Sequence, residues 1–107
     1  MRTLKFIVSG QRIEKDPNCD FSGIVAGTAG YLSCQFDFDK EWSGTVQVAE
    51  FRRYETSDPI PVKIVGGCCE APEKVLTGRN WYLRIVGKNK NLKITTNNIR
   101  VDQEAIL

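Results

Sequence analysis

The chain has 107 residues, 41% hydrophobic and 26% charged, enough for one globular domain with an ordinary core. It is too short for a dinucleotide-binding enzyme with a substrate domain, or for a (β/α)8 barrel of about 250 residues. Fifteen Lys/Arg against thirteen Asp/Glu leave a net charge of +2, so bulk charge points to neither a nucleic-acid nor a membrane partner.

The dominant hydrophobic period is two. Leu4, Phe6 and Val8 alternate with Lys5 and Ile7 and read as a first strand. Ser9-Gly10 breaks it, and Arg12-Ile13 continue after a bulge or turn. Residues 15–23 are rich in turn formers: Pro17, Asn18, Asp20, Ser22 and Gly23. Ile24, Val25 and Ala26 make a short apolar run, and Gly27 to Gly30 suggest a tight turn.

Leu32, Cys34, Phe36 and Phe38 alternate with Ser33, Gln35, Asp37 and Asp39, the mark of a strand with one wet face. Asp39 to Gly44 is a turn with an aromatic anchor. Residues 45–53 form another strand. Val46 and Val48 share one face of it and Ala49 and Phe51 the other, so either both faces are partly covered or a bulge switches the face. Ile60, Val62 and Ile64 alternate with Pro59 and Pro61, which places this segment at a sheet edge.

Gly66-Gly67 ends that segment. Glu70 to Leu76 is the one helical candidate, with Pro72 in a first turn and Gly78 as a stop. Trp81, Leu83 and Ile85 start the next strand. Residues 87–91 are a polar hairpin loop, Leu92 and Ile94 open the return strand, and Ile99 and Val101 make a last short one. The pattern predicts an all-β fold, an antiparallel β-sandwich (Ig-like or jelly-roll-like) of six to eight short strands with at most one short helix. It forms one domain over residues 1–107, with sequential strands antiparallel by default.

The chain contains no histidine, which removes Ser-His-Asp and Cys-His catalysis and every His-containing metal site. Ser with Lys remains a formal nucleophile pair, but no spacing favours it. The phosphate-cradling patterns GxGxxG and GxxxxGK[ST] are missing. The chain therefore reads as a non-enzyme that needs no cofactor.

Four cysteines, at 19, 34, 68 and 69, fit no paired zinc spacing. No apolar run suits a signal-peptide core or a membrane span, so the default is four reduced thiols, with Cys34 packed as a small hydrophobe. Asp37, Asp39 and Glu41 suggest a calcium loop, but Trp42 stands where such a loop needs glycine and Val48 where it needs glutamate. The residues read as the solvated face of a strand, and no metal is expected.

Lys88, Lys90 and Lys93 crowd one hairpin, with Arg100 placed nearby. This reads as edge protection, since nucleic-acid binding wants more charge and stacking aromatics. Trp42 and Trp81 could line a sugar platform but read better as core. Arg52, Arg53 and Tyr54 end a strand at a loop, and exposed Arg and Tyr serve as interface anchors, so these three are the candidate partner-binding residues.

A family resemblance rests on three segments. Phe36-Asp37-Phe38-Asp39-Lys40-Glu41-Trp42-Ser43-Gly44, followed by Ala49-x-Phe51, resembles an F-x-F-D-x-E-W-x-G turn that leads to an A-x-F strand. Cys69-x-x-Pro72-x-x-Val75-Leu76 precedes an aromatic strand from Trp81 to Gly87, and Thr95-Thr96-Asn97 precedes the last strand. These features, over roughly residues 30–101, resemble small virion proteins of tailed phages and prophages of Gram-positive bacteria.

The resemblance implies an N-terminal β-sandwich domain of baseplate, tail-fibre or head-fibre proteins. Such a domain docks a fibre onto the particle by protein–protein contact and self-associates. It implies other virion proteins as partners, with no nucleic acid and no membrane. It implies a place in the bacterial cytoplasm during assembly and in the virion afterwards. A carbohydrate-binding module, or a small phage-borne protein that inhibits or sequesters a host factor, is the alternative. This chain stops at Leu107, where the family continues into a receptor-binding region.

Overall fold

The structure is a computed structural model that describes residues 1–105. Ile106 and Leu107, the last two residues of the expected domain span, lie outside the described residues.

The strands are β1 (Arg2–Ser9), β2 (Arg12–Lys15), β3 (Leu32–Phe38), β4 (Val46–Arg52), β5 (Ile60–Lys63), β6 (Cys68–Glu70), β7 (Asn80–Lys88), β8 (Lys93–Thr95) and β9 (Ile99–Asp102). They form two sheets, packed as a sandwich. One has the order β2-β1-β3-β6, and the other the order β5-β4-β7-β8. β9 also pairs with β7, beside Asn80 to Leu83, while β8 pairs beside Val86 to Lys88. The two short strands therefore follow one another along the same side of β7.

The period-two pattern translates directly into buried faces. Leu4, Phe6 and Val8 of β1 lie beside Cys34, Phe36 and Phe38 of β3 on the inner face of one sheet, and Trp81, Leu83 and Ile85 of β7 are buried in the same core from the other sheet. In β4 no bulge switches the face, because its register with β7 runs unbroken from Val46↔Lys88 to Arg52↔Tyr82. Ala49 and Phe51 point inward. Val46 is exposed and Val48 half-buried on the outer face.

β5 is an edge strand, paired only with β4. Ile64 N–H donates to the Gln47 carbonyl, which makes 47/64, 49/62 and 51/60 the hydrogen-bonded pairs. Pro61 opposes Glu50 in the alternate, non-hydrogen-bonded position, so β4 loses no bond to it and the outer edge loses a donor.

Three features differ from the sequence pattern. β1 and β3 are parallel, Leu4↔Cys34 through Val8↔Phe38, where consecutive strands default to antiparallel. The cause is the β1–β2 hairpin and the connection over residues 16–31. Together these carry the chain back to the end where β1 started, as a parallel pair requires. That connection covers the end of the core with buried Ile24 and Ala26 and sets Phe21 edge-on against Phe6, centroids 5.3 Å apart.

Second, Glu70 to Leu76 is not a helix. Gly66 and Gly67 both have positive φ, +60° and +77°, and turn the chain tightly between Val65 and Cys68. Cys68–Glu70 then joins β3 as β6, leaving a single 3-10 turn at Glu73–Val75. Third, β6 and the separate β2 arm raise the strand count to nine among the described residues.

The segment after β3 is a 3-10 turn, Lys40–Trp42, capped by Asp39. Asp39 Oδ1 accepts from Glu41 N–H at 3.0 Å, and Oδ2 accepts from Gly10 N–H at 2.7 Å. Trp42 is fully buried, and its Nε1–H donates to the Gly10 carbonyl at 2.9 Å. The ring lies against Gly87 of β7, where an added Cβ would sit 2.6 Å from Trp42 Cζ3. Gly87→Ala should therefore overpack the core and cost about 1–3 kcal/mol. That should lower the thermal midpoint by at least about 4 °C. An unchanged midpoint would mean that the indole can move aside.

Candidate functional site

The motifs that carry the family resemblance build the interior. Phe36, Phe38 and Trp42 continue an aromatic row from Phe6, with successive centroids 5.6, 5.9 and 5.3 Å apart. Cys69, Val75 and Leu76 are buried. Thr96 fills the gap between β8 and β9. Its Oγ1 accepts from Ile85 N–H at 2.9 Å, and its own N–H donates to the Ile85 carbonyl. Asn97 then caps the edge of β2, accepting from Ile13 N–H at 2.8 Å through Oδ1. A motif of this kind reports a fold, so function has to be sought on the surface.

Both tryptophans are fully buried. Phe51 packs against Trp81 at 5.7 Å. Neither indole offers a face to solvent, so neither provides a sugar platform. Asp37 and Glu41 are exposed, as the solvated-face reading expects, whereas Asp39 is half-buried and its two oxygens accept backbone N–H groups from two different turns. Among the described residues no three His, Cys, Asp or Glu side chains are placed to hold a metal ion. An apolar hollow lined in part by Ile24, Val25, Tyr31 and Leu32 has a volume of about 140 Å³. That is below the roughly 300–1,000 Å³ of small-molecule pockets, and the larger hollow of about 490 Å³ lined by Gln11, Glu41, Leu92, Lys93 and Ile94 is a wide groove open to solvent.

All four thiols are free. Cys34 and Cys69 stand directly opposite each other on β3 and β6, both buried, while Cys68 points the other way. The hydrogen bond with Cys69, then burial, push the Cys34 thiol well above its ordinary 9.0. In the unfolded chain Cys34 ionises near its ordinary value, whereas in the folded protein it keeps its proton. Its stabilising contribution is thus complete below pH 9 and is lost as the pH rises above 9 towards the raised folded value. Wild type should lose stability over that range more steeply than Cys34→Ala, measured by urea unfolding at stepped pH. Parallel profiles would mean that Cys34 ionises alike in both states.

The structure separates the three candidate partner-binding residues. Arg52, the last residue of β4, lies on the outer sheet face, opposite Tyr82 of β7, which in turn opposes Arg100 of β9. Its Nε–H donates to the Ser57 carbonyl at 3.1 Å. Arg53 and Tyr54 come together at the rim. The Arg53 guanidinium stacks over the Tyr54 ring, 5.2 Å from its centroid. Ser57 Oγ holds the turn rigid, accepting from Tyr54 N–H at 3.0 Å and donating to the Tyr54 carbonyl at 2.8 Å. Tyr54 is 58% exposed.

The lysine hairpin is also resolved by register. Lys88 and Lys93 are direct cross-strand partners on the outer face. Arg100 does not join them. It sits beside Tyr82, six residues along β7 from Lys88, about 20 Å at strand spacing. Sequence reasoning missed the row Arg52–Tyr82–Arg100 and the ion pair of Arg84 with Glu50, 2.6 Å, on the same face. The alternation of β7 marks Tyr82 and Arg84 as outward, but pairing them with particular residues needs the register.

No protein-family model matches the chain, and no curated protein matches it.

Proposed function

We propose that the chain is a non-enzymatic docking module of a phage or prophage particle, attaching a fibre or baseplate component by protein–protein contact and forming a homo-oligomer. The observation that carries this reading is the Arg53–Tyr54 pair. It is an exposed, pre-ordered Arg–Tyr stack at the rim of a rigid sheet, and these two residue types supply much of the energy at interfaces. The turn from Tyr54 to Ser57 fixes the backbone of Tyr54, so association orders less chain.

The rest of the support is from sequence. The three segments resemble phage and prophage virion proteins, and the absence of histidine takes away the commonest catalytic groups. The three segments lie in the core and turns, which fits a shared fold with a surface free to vary.

Light scattering on a sizing column tests the reading. Wild type should run as a closed oligomer, a trimer or larger, over a micromolar to near-millimolar series. Arg53→Ala with Tyr54→Ala should dissociate it, raising the dissociation constant at least about tenfold while the thermal midpoint of the monomer is kept. A monomer at every concentration would overturn the self-association.

A further inference from the structure

The outer face of the β5-β4-β7-β8/β9 sheet is uncovered, and its charge is unbalanced. It carries Arg52, Lys63, Arg84, Lys88, Lys93 and Arg100 against the two carboxylates Glu50 and Asp102. That excess of cations is larger than the +2 of the whole chain, so the remainder of the molecule is net negative. Arg84 is paired with Glu50 at 2.6 Å and Arg100 with Asp102 at 3.1 Å. Lys63, Lys88 and Lys93 form no ion pair among the described residues.

The Lys88↔Lys93 pair is the sharpest feature of this face. Like charges directly opposite across an antiparallel ladder destabilise it. β8 has only three residues and depends on this hairpin for its place. Folding alone would favour an opposite-charge pair there. An anion from outside, lying between the two ammonium groups, removes the repulsion.

We propose that this face docks an acidic protein surface, with Lys88 and Lys93 as the electrostatic anchor and Lys63 extending the contact across the sheet. The inference rests on the docking reading above and names the chemistry of the partner. Acidic protein fits better than single-stranded nucleic acid. Successive bases need successive rings, and Tyr82 is the one ring on this face, half-buried between the register positions of Arg52 and Arg100. Carboxylates on a folded partner need only spaced cations, which the lysines and arginines supply.

The test uses a fluorescein-labelled dodeca-glutamate peptide and a labelled dT12 oligonucleotide, titrated with the full chain by anisotropy. The peptide should bind, and its affinity should fall at least fivefold between 50 and 300 mM salt. Lys88→Glu should weaken the peptide at least fivefold, yet raise the thermal midpoint of the protein, because it turns a repulsive cross-strand pair into an attractive one. Lys93→Glu should do the same and guards against a folding artefact in either variant.

A purely structural role for the lysines could not produce weaker binding together with greater stability. No peptide binding, binding indifferent to both variants, or tighter binding of dT12 than of the peptide would each overturn the proposal. The two readings fail separately. An oligomer that ignores the peptide overturns the acidic partner alone. A monomer that captures the peptide supports the acidic partner and removes the self-association.

Discussion

The Trp42 indole holds three separate parts of the chain in one place. It rises from a 3-10 turn after β3, donates to the Gly10 carbonyl in the β1–β2 turn and packs against Gly87 near the end of β7 in the other sheet. Asp39, three residues earlier, takes the Gly10 N–H, so the β1–β2 turn is held through both its donor and its acceptor. The carbonyl of Trp42 accepts from Thr45 Oγ1 at 2.6 Å and from Gln47 Nε2 at 3.2 Å, which carries the constraint into β4. A buried indole is held more firmly when its N–H finds a partner, as that of Trp42 does and that of Trp81 does not, and a large ring needs a gap in the facing sheet. Gly10 meets the first requirement and Gly87 the second, so the spacing of residues 10, 42 and 87 sets how the two sheets meet.

This interlock explains which parts of the fold were legible in the sequence. Alternation in Leu32 to Phe38 and in Trp81 to Ile85 is a local property and translates directly into strands with one buried face. The edge position of Ile60 to Lys63 was legible because proline has no N–H to give a neighbour. The parallel pairing of β1 with β3 was not, because it depends on where residues 16–31 carry the chain, and no period records that. β6 was hidden for a similar reason. Three residues show no periodicity, and Cys68–Glu70 becomes a strand only because the Gly66-Gly67 turn lays it against β3.

The candidate site was legible in part. Residue type alone picks out Arg52, Arg53 and Tyr54, but register divides them. Strand alternation sends Arg52 to the sheet face, and the turn holds Arg53 against Tyr54 at the rim. The opposition of Lys88 to Lys93 follows from the length of the hairpin loop, yet the distance of Arg100 from them follows from the end-to-end placing of β8 and β9, which Thr96 enforces. Residues joined by a tight turn could be grouped from sequence. Residues brought together across strands could not.

How the sheet edges are finished bears on how such a molecule can associate. An open edge invites another strand. Here the β2 edge is occupied by Asn97, whose side chain bonds both the N–H and the carbonyl of Ile13. The β5 edge has Pro61 at a position whose N–H would otherwise point outward. β6 is only three residues long, and its Cys68 N–H already donates to the Val65 carbonyl. Strand addition at any of these edges would have to displace an internal bond or find few donors. Association through the broad faces and the rim costs no such bond, and an acidic partner on the outer face of the larger sheet would also relieve the repulsion between Lys88 and Lys93. The chemistry of these three edges thus disfavours strand addition there and leaves the broad faces and the rim as the surfaces on which the proposed contacts would form.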